Sequence, residues 1–385
     1  MSANLQQANN ELNSLDDVQD FIRGLTLLGT GGGGRPEAGL AALEPLVRAG
    51  ARPRWTSLDS LPDNGTYCAL AGLGSIAPTQ PLSESERMDL GYPAQQSAEQ
   101  PMVRALRALE SQIGKRIDGI YPIELGAGNS TTPLAAAMAL GIPMLDCDCA
   151  GRAIPEMSQS SVARAGIPFA PAAFADHWGT VLTVSECHGV LLGERLGKAI
   201  STVTKAADMR AQCARAAFLV DGATLKRLAL PGGLTWALKI GRVIASARRT
   251  AGADPVQAAC TALGGRIVGS GKLVSKVWET REGYMYGELR IANGSPADEL
   301  RIWLKNENHI VWRGERVLYT SPDLICVVDA ATAEPYTNTN IQEGMQVAVL
   351  AAPASPVLRT QDALKALGPT HYGFDIPYIP FEELR

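Results

Sequence analysis

The chain has 385 residues, of which 46% are hydrophobic and 19% charged, with a formal net charge of −4. This is the make-up of a folded protein and excludes disordered and fibrous classes. No run of five or more Lys or Arg offers the basic stripe that a phosphate backbone needs, so no nucleic-acid partner is expected.

No apolar stretch reaches the ~18 residues that span a bilayer, and no membrane partner is expected. The opening "MSANLQQANNELNSLDD" is polar and acidic rather than basic and then apolar, so the expected location is cytoplasmic. Seven scattered cysteines contain no CxxC pair, which removes zinc-ribbon and thioredoxin readings. The length predicts two domains.

In chain order, residues 16–28 place Val18, Phe21, Ile22, Leu25 and Leu28 at helical spacing behind two acids. That helix stops at "GTGGGGRP", where Gly29 and Gly31 to Gly34 form a glycine loop, and 37–50 reads as a second helix. "TYCALAGLGS" (66–75) reads as a buried strand, and 101–114 as a helix between Pro101 and Gly114. "IDGIYPIELG" (117–126) is a second strand. A helix follows with Thr132 as N-cap and Pro133 at its first position, and "IPMLDCD" (142–148) is a third strand. Strand, helix and strand in succession predict a parallel sheet covered by helices.

Residues 179–186 look like a further strand, followed by helical segments across 190–220 and 233–262. From about 264 the pattern changes to alternating apolar and polar residues, with Gly283 in a hairpin loop. The expected fold is therefore an N-terminal three-layer α/β domain over 1–262 and a β-rich, barrel- or sandwich-like domain over 263–367. A tail over 368–385 is expected to pack back.

Parallel sheets bind ligands beyond the carboxyl ends of their strands. Here those ends are 72–75, 124–130 and 146–152, so Glu124, Asp146 and Asp148 are expected at one edge. Unpaired carboxylates are costly in a core. In a cleft they can serve as a general base with its orienting partner, or bind a cation. Alternation puts Asp146 and Asp148 on one face and Cys147 on the other.

The metal question stays open: Asp146, Asp148, Cys149 and His177 are the candidates for a divalent ion such as zinc, without ligand spacing. The glycine loop can cradle a phosphate, a carboxylate or an imide oxygen, with Asn129 and Ser130 adding donors. It is neither a P-loop nor a dinucleotide fingerprint, so no nucleotide cofactor is expected. "NEN" (306–308) is a polar knot in an apolar run, read as a turn or bulge.

The stretches "LLGTGGGG", "PIELGAGNSTTPLAAAMALGIPMLDCDCAGRAIPEM", "NENHIVWR", "PDLICVVDAATAEP" and "GFDIPYIPF" resemble the S-methyl-thiohydantoin desulfurase family over about residues 15–380. The resemblance implies an α/β domain followed by a β-rich one. It also implies a hydrolase of five-membered cyclic ureides, in which water displaces methanethiol to give a hydantoin. The matching positions are the glycine loop 29–34, Glu124, Gly126, Asn129, Ser130, Asp146, Asp148, Gly151, Arg152, Pro155, Glu156, Asn306 and Glu307.

On this reading the catalytic residues are Glu124, Asp146 and Asp148, and the substrate-binding residues are Gly31, Gly32, Gly33, Asn129, Ser130, Arg152 and Glu156. The expected partner is a small cyclic amide, and a homo-oligomer is the base-rate expectation. The chain departs from the family pattern at Arg35, at Cys149 and Ala150, and at 160–166, where relatives carry a histidine. Those departures support an alternative, a non-catalytic ligand-binding or regulatory protein on the same scaffold.

Overall fold

A computed structural model describes residues 10–74, 82–204 and 213–384. Ser75, the last residue of the predicted 66–75 strand, lies outside them, as do 205–212 within the predicted 190–220 helix.

The helix Leu15–Leu28 begins where the Ser14 side chain accepts the Asp17 N–H. It buries Phe21, Leu25 and Leu28 beside the helix Gly233–Arg249. The two backbones touch. A Cβ on Gly24 would overlap the Ala237 carbonyl, and one on Gly241 would overlap that of Asp20.

The first sheet uses β1 (Trp55–Ser57), β2 (Thr66–Leu73), β3 (Gly119–Tyr121), β4 (Met144–Asp148), β5 (Ala172–Asp176), β6 (Val181–Val184), β7 (Cys213–Asp221) and β8 (Leu230–Pro231). Their order is β1-β4-β3-β2-β7-β5-β6, with β8 on β4. The stretch from β1 to β2 is parallel, whereas β7, β5, β6 and β8 join antiparallel. Alternation along the strands divides the core. Cys68, Leu70, Ile120 and Met144 face one helical layer, while Tyr67, Ala69, Tyr121, Leu145 and Cys147 face the other.

Two predicted elements change. Cys213–Asp221 is a strand, not the end of a helix. Its run "CARAAFLVD" is buried almost throughout, and such a run carries no period that separates helix from strand. The helix predicted to start at Thr132 spans Ala127–Leu140, with Gly126 as cap and Pro133 inside. It begins early because Gly128 and Asn129 donate their N–H groups to the Gly33 carbonyl.

The second sheet is antiparallel and contains β9 (Arg266–Arg281), β10 (Tyr284–Asn293), β11 (Ser295–Lys305), β12 (Glu307–Arg313), β13 (Arg316–Thr320), β14 (Leu324–Asp329) and β15 (Gln346–Ala352). The order is β13-β12-β11-β10-β9-β15-β14, around a core of Leu289, Ile302, Leu304, Val311, Ile325 and Val349. The sheet curls enough for the Asn308 side chain on β12 to donate to the Ile325 carbonyl on β14. Glu282 and Gly283, both at positive φ, make the predicted hairpin turn.

The tail returns to both domains: His371 reaches Glu156, and Tyr378 donates to Asp323. Among the described residues, no helix is long and apolar enough to cross a membrane.

Candidate active site between the domains

The glycine loop is where the two domains meet. Thr30, Gly31, Gly33 and Gly34 all have positive φ, and the loop so formed faces both domains. The Thr30 carbonyl accepts the Asn308 N–H, and the Gly31 carbonyl accepts that of Asn338. Asn306, at φ 58, forms the turn between β11 and β12 and presents Glu307 to this loop. A Cβ at Gly32 would overlap Glu307 Oε1, and the Gly33 N–H donates to the Glu307 carboxyl. The anion cradle read from the glycines thus holds the protein's own side chain.

Glu124 stands at the end of the segment after β3. Asn129 Nδ2 and the Ile154 N–H donate to its two oxygens, and Ser130 Oγ donates to its carbonyl at 3.4 Å. Burial raises its carboxyl to about 7 despite those hydrogen bonds. Burial and then the charge of Glu124 push Glu307 well above the usual carboxylate range. Glu307 Oε2 has no hydrogen-bond partner among the described residues. Two acids so placed titrate as a pair in which Glu307 keeps the proton and Glu124 gives its proton up first.

Further ionisable groups surround this pair. Glu156 accepts from Lys305 Nζ and from His371 Nε2. Burial would raise its carboxyl, but the bonds from His371 and Lys305 outweigh it and hold Glu156 at about 2. Glu194 accepts the Met157 N–H and the Tyr284 hydroxyl. Lys198 Nζ lies 3.2 Å from the centre of the Tyr284 ring, and burial lowers it to about 8. Burial and the Arg152 charge keep His309 neutral, packed against Tyr372.

Arg215, Glu194, Lys198, Lys305 and His371 escaped the sequence reading because they come from distant segments. Glu194 and Lys198 carried only an i, i+4 signature. Arg215 carried a better one, as the lone cation in an apolar run.

Several predicted residues have other work. Asp146 caps the helix Gly233–Arg249, with Oδ1 accepting from Leu234 and Thr235 and Oδ2 from the Thr235 hydroxyl. Asp148 Oδ1 accepts the N–H groups of Ala150 and Gly151, and burial raises that carboxyl to about 7. Both acids face the start of that helix, whereas Glu124 is held by Asn129 and Ile154 within electrostatic reach of Glu307, so the expected three-acid cluster is divided.

Arg152 is buried, and its N–H groups go to the Ala153, Pro322, Asp323 and Asn308 carbonyls and to Thr30 Oγ1. Those five bonds use all five donors, leaving none for a substrate. Glu156 is likewise committed on both oxygens.

Cys149 lies in the apolar layer opposite Asp146, and burial raises its thiol far above the thiolate range. His177 lines a different cavity, of about 560 Å³, with Met102, Thr132 and Cys213. Asp146, Asp148, Cys149 and His177 form no ligand set: among the described residues no three His, Cys, Asp or Glu side chains are grouped to hold a metal ion.

The fold and the converging acids define a two-domain α/β-plus-β protein with a buried polar site at its domain interface. The S-Me-THD-like N-terminal domain profile matches residues 16–186 and the C-terminal domain profile matches 194–381. The chain therefore belongs to the S-methyl-thiohydantoin desulfurase-like family. No curated protein matches it. A crystal structure of a protein from Chromobacterium violaceum is similar with TM-score 0.73 at 22% identity, covering 96% of this chain and 99% of that one. At that identity the likeness speaks for the fold.

Proposed function

We propose that the protein is a hydrolase of a five-membered cyclic ureide, with an S-methyl-thiohydantoin as the preferred substrate. The buried Glu124–Glu307 pair carries this reading, and family membership supplies the substrate class. A general base works best when its pKa lies near the operating pH, and Glu124 is held at about 7. It takes a proton from water as the oxygen attacks the ring carbon bearing the S-methyl group. As the C–O bond forms, the C=N electron pair moves onto the ring nitrogen, which takes up the hydroxyl proton. The tetrahedral centre then collapses to the carbonyl, the C–S bond breaks, and Glu307 gives its proton to the departing sulfur. The products are the hydantoin carbonyl and methanethiol, and the proton left on Glu124 returns to Glu307 through solvent.

Asn129 orients the base through its hydrogen bond to Glu124. Asp146, Asp148, Arg152 and Glu156 act as structural supports of the two domains. The test is a turnover screen with S-methyl-thiohydantoins, thiohydantoins and hydantoins, following released thiol and ring absorbance. Thiol release that needs Glu307 supports the proposal. Ligand-induced stabilisation without turnover of any of them supports the binding-protein alternative.

A further inference from the structure

One charged group of the interface is left unused by that chemistry. Arg215 is 1% exposed, in β7 between Ala71 of β2 and Phe174 of β5. Its neighbours Ala214 and Ala216 pack on the opposite face of the sheet. Its side chain therefore projects into the layer of Tyr121 and the helix Val190–Thr204. The charges of Glu194 and Glu124 act on it most strongly among the acids, yet no carboxylate among the described residues forms an ion pair with it.

Its Nε and Nη2 have no hydrogen-bond partner. These atoms form one edge of the guanidinium, and their two N–H groups run parallel, the geometry that takes two acceptor oxygens at once. A buried cation left unpaired costs several kcal/mol, and structural arginines avoid that cost, as Arg152 does with five bonds. Within the same interface Glu307 Oε2 is also unpartnered.

Resting on the hydrolase reading, we infer that Arg215 is the specificity residue that anchors a planar anionic group of the substrate through its Nε–Nη2 edge. Two groups have that chemistry: a carboxylate on the ring substituent, and the deprotonated O–C–N edge of the ring itself. In both cases the ring is held with its reacting carbon toward Glu124 and Glu307.

The experiment measures binding to the full-length protein by calorimetry and thermal shift. The probes are hydantoin-5-acetate, 5-methylhydantoin and glutarate, tested against the wild type, Arg215→Gln and Arg215→Lys. If the carboxylate is the anchored group, hydantoin-5-acetate binds at least about 10-fold more tightly than 5-methylhydantoin, the effect of a charge-assisted hydrogen bond. Glutarate then stabilises the wild type, and Arg215→Gln removes both effects.

If the ring edge is anchored, 5-methylhydantoin binds more tightly as pH rises through ionisation of its ring N–H, and Arg215→Gln abolishes that rise. Should Arg215→Gln fail to fold, Arg215→Lys gives the same readout, because it keeps the charge and loses the fork. The melting temperature of ligand-free Arg215→Gln should equal or exceed that of the wild type, a result that a purely structural arginine would not give.

Equal binding of every probe to wild type and variants overturns the inference. If turnover persists with Arg215-independent binding, only the anchor is lost. If Arg215-dependent binding persists without turnover of any ureide, only the hydrolase reading is lost.

Discussion

Glu124, Asp146 and Asp148 stand at comparable places in the sequence, each just after a short apolar run, yet their surroundings give them different chemistry. Alternation correctly put Asp146 and Asp148 on one face. It had no means of showing that the start of the helix Gly233–Arg249 occupies that face, since the partner lies 88 residues on. Asp146→Ala should therefore cost about 1–2 kcal/mol, as for other lost caps, and leave the proposed turnover by the folded protein intact. Chemical denaturation and an assay on the same sample check both parts. Glu307 is the opposite case: its Oε2 is buried without a partner, so Glu307→Gln should keep or raise the melting temperature while lowering turnover at least ~100-fold. A fall in stability matching the fall in rate would mark Glu307 as a structural residue.

The glycine loop shows what an element's sequence can and cannot convey. Five glycines within six positions leave room for a close approach, and the structure places Glu307 there. The approaching group is a side chain of the other domain, which no local pattern encodes. Gly32→Ala should displace Glu307, because a Cβ there overlaps Oε1. The expected result is near-complete loss of activity with destabilisation of about 1–3 kcal/mol, the usual cost of overpacking. Wild-type activity in Gly32→Ala would contradict the loop's role.

Helices with clear apolar spacing, such as Leu15–Leu28, were legible from sequence to within a residue or two. The start of Ala127–Leu140 was not, because its first turn is specified by contacts to Gly33 rather than by a capping side chain. The strand Cys213–Asp221 was hidden by burial on both faces, which erases the alternation that marks a strand.

The two domains are joined by charge as well as by apolar surface, and this gives the molecule a characteristic pH response. Burial holds Glu124 and Asp148 at about 7, above their ordinary 4.5 and 3.8. Between those values and 7 the unfolded chain has lost protons that the folded chain keeps, so stability falls as pH rises through this window. Glu156 acts in the opposite sense: held at about 2, it contributes stability above 4.5 that is lost as pH falls toward 2. The melting temperature should peak near pH 4 and decline toward pH 7, and Glu124→Gln and Asp148→Asn should each flatten the decline. A melting temperature that climbs from pH 4 to 7 would contradict this.

The two-domain plan was readable from the change of texture near residue 264. The interdomain site was not, since Arg215, Glu194, Lys305 and His371 converge only through the fold. Its chemistry is decided by the steady-state release of thiol from an S-methyl-thiohydantoin across pH, with wild type and Glu307→Gln side by side. The wild-type rate should rise through a limb near pH 7 as Glu124 ionises, and the variant should be almost silent at every pH. No thiol release by the wild type, or an equal rate from Glu307→Gln, would overturn the paired-carboxylate mechanism.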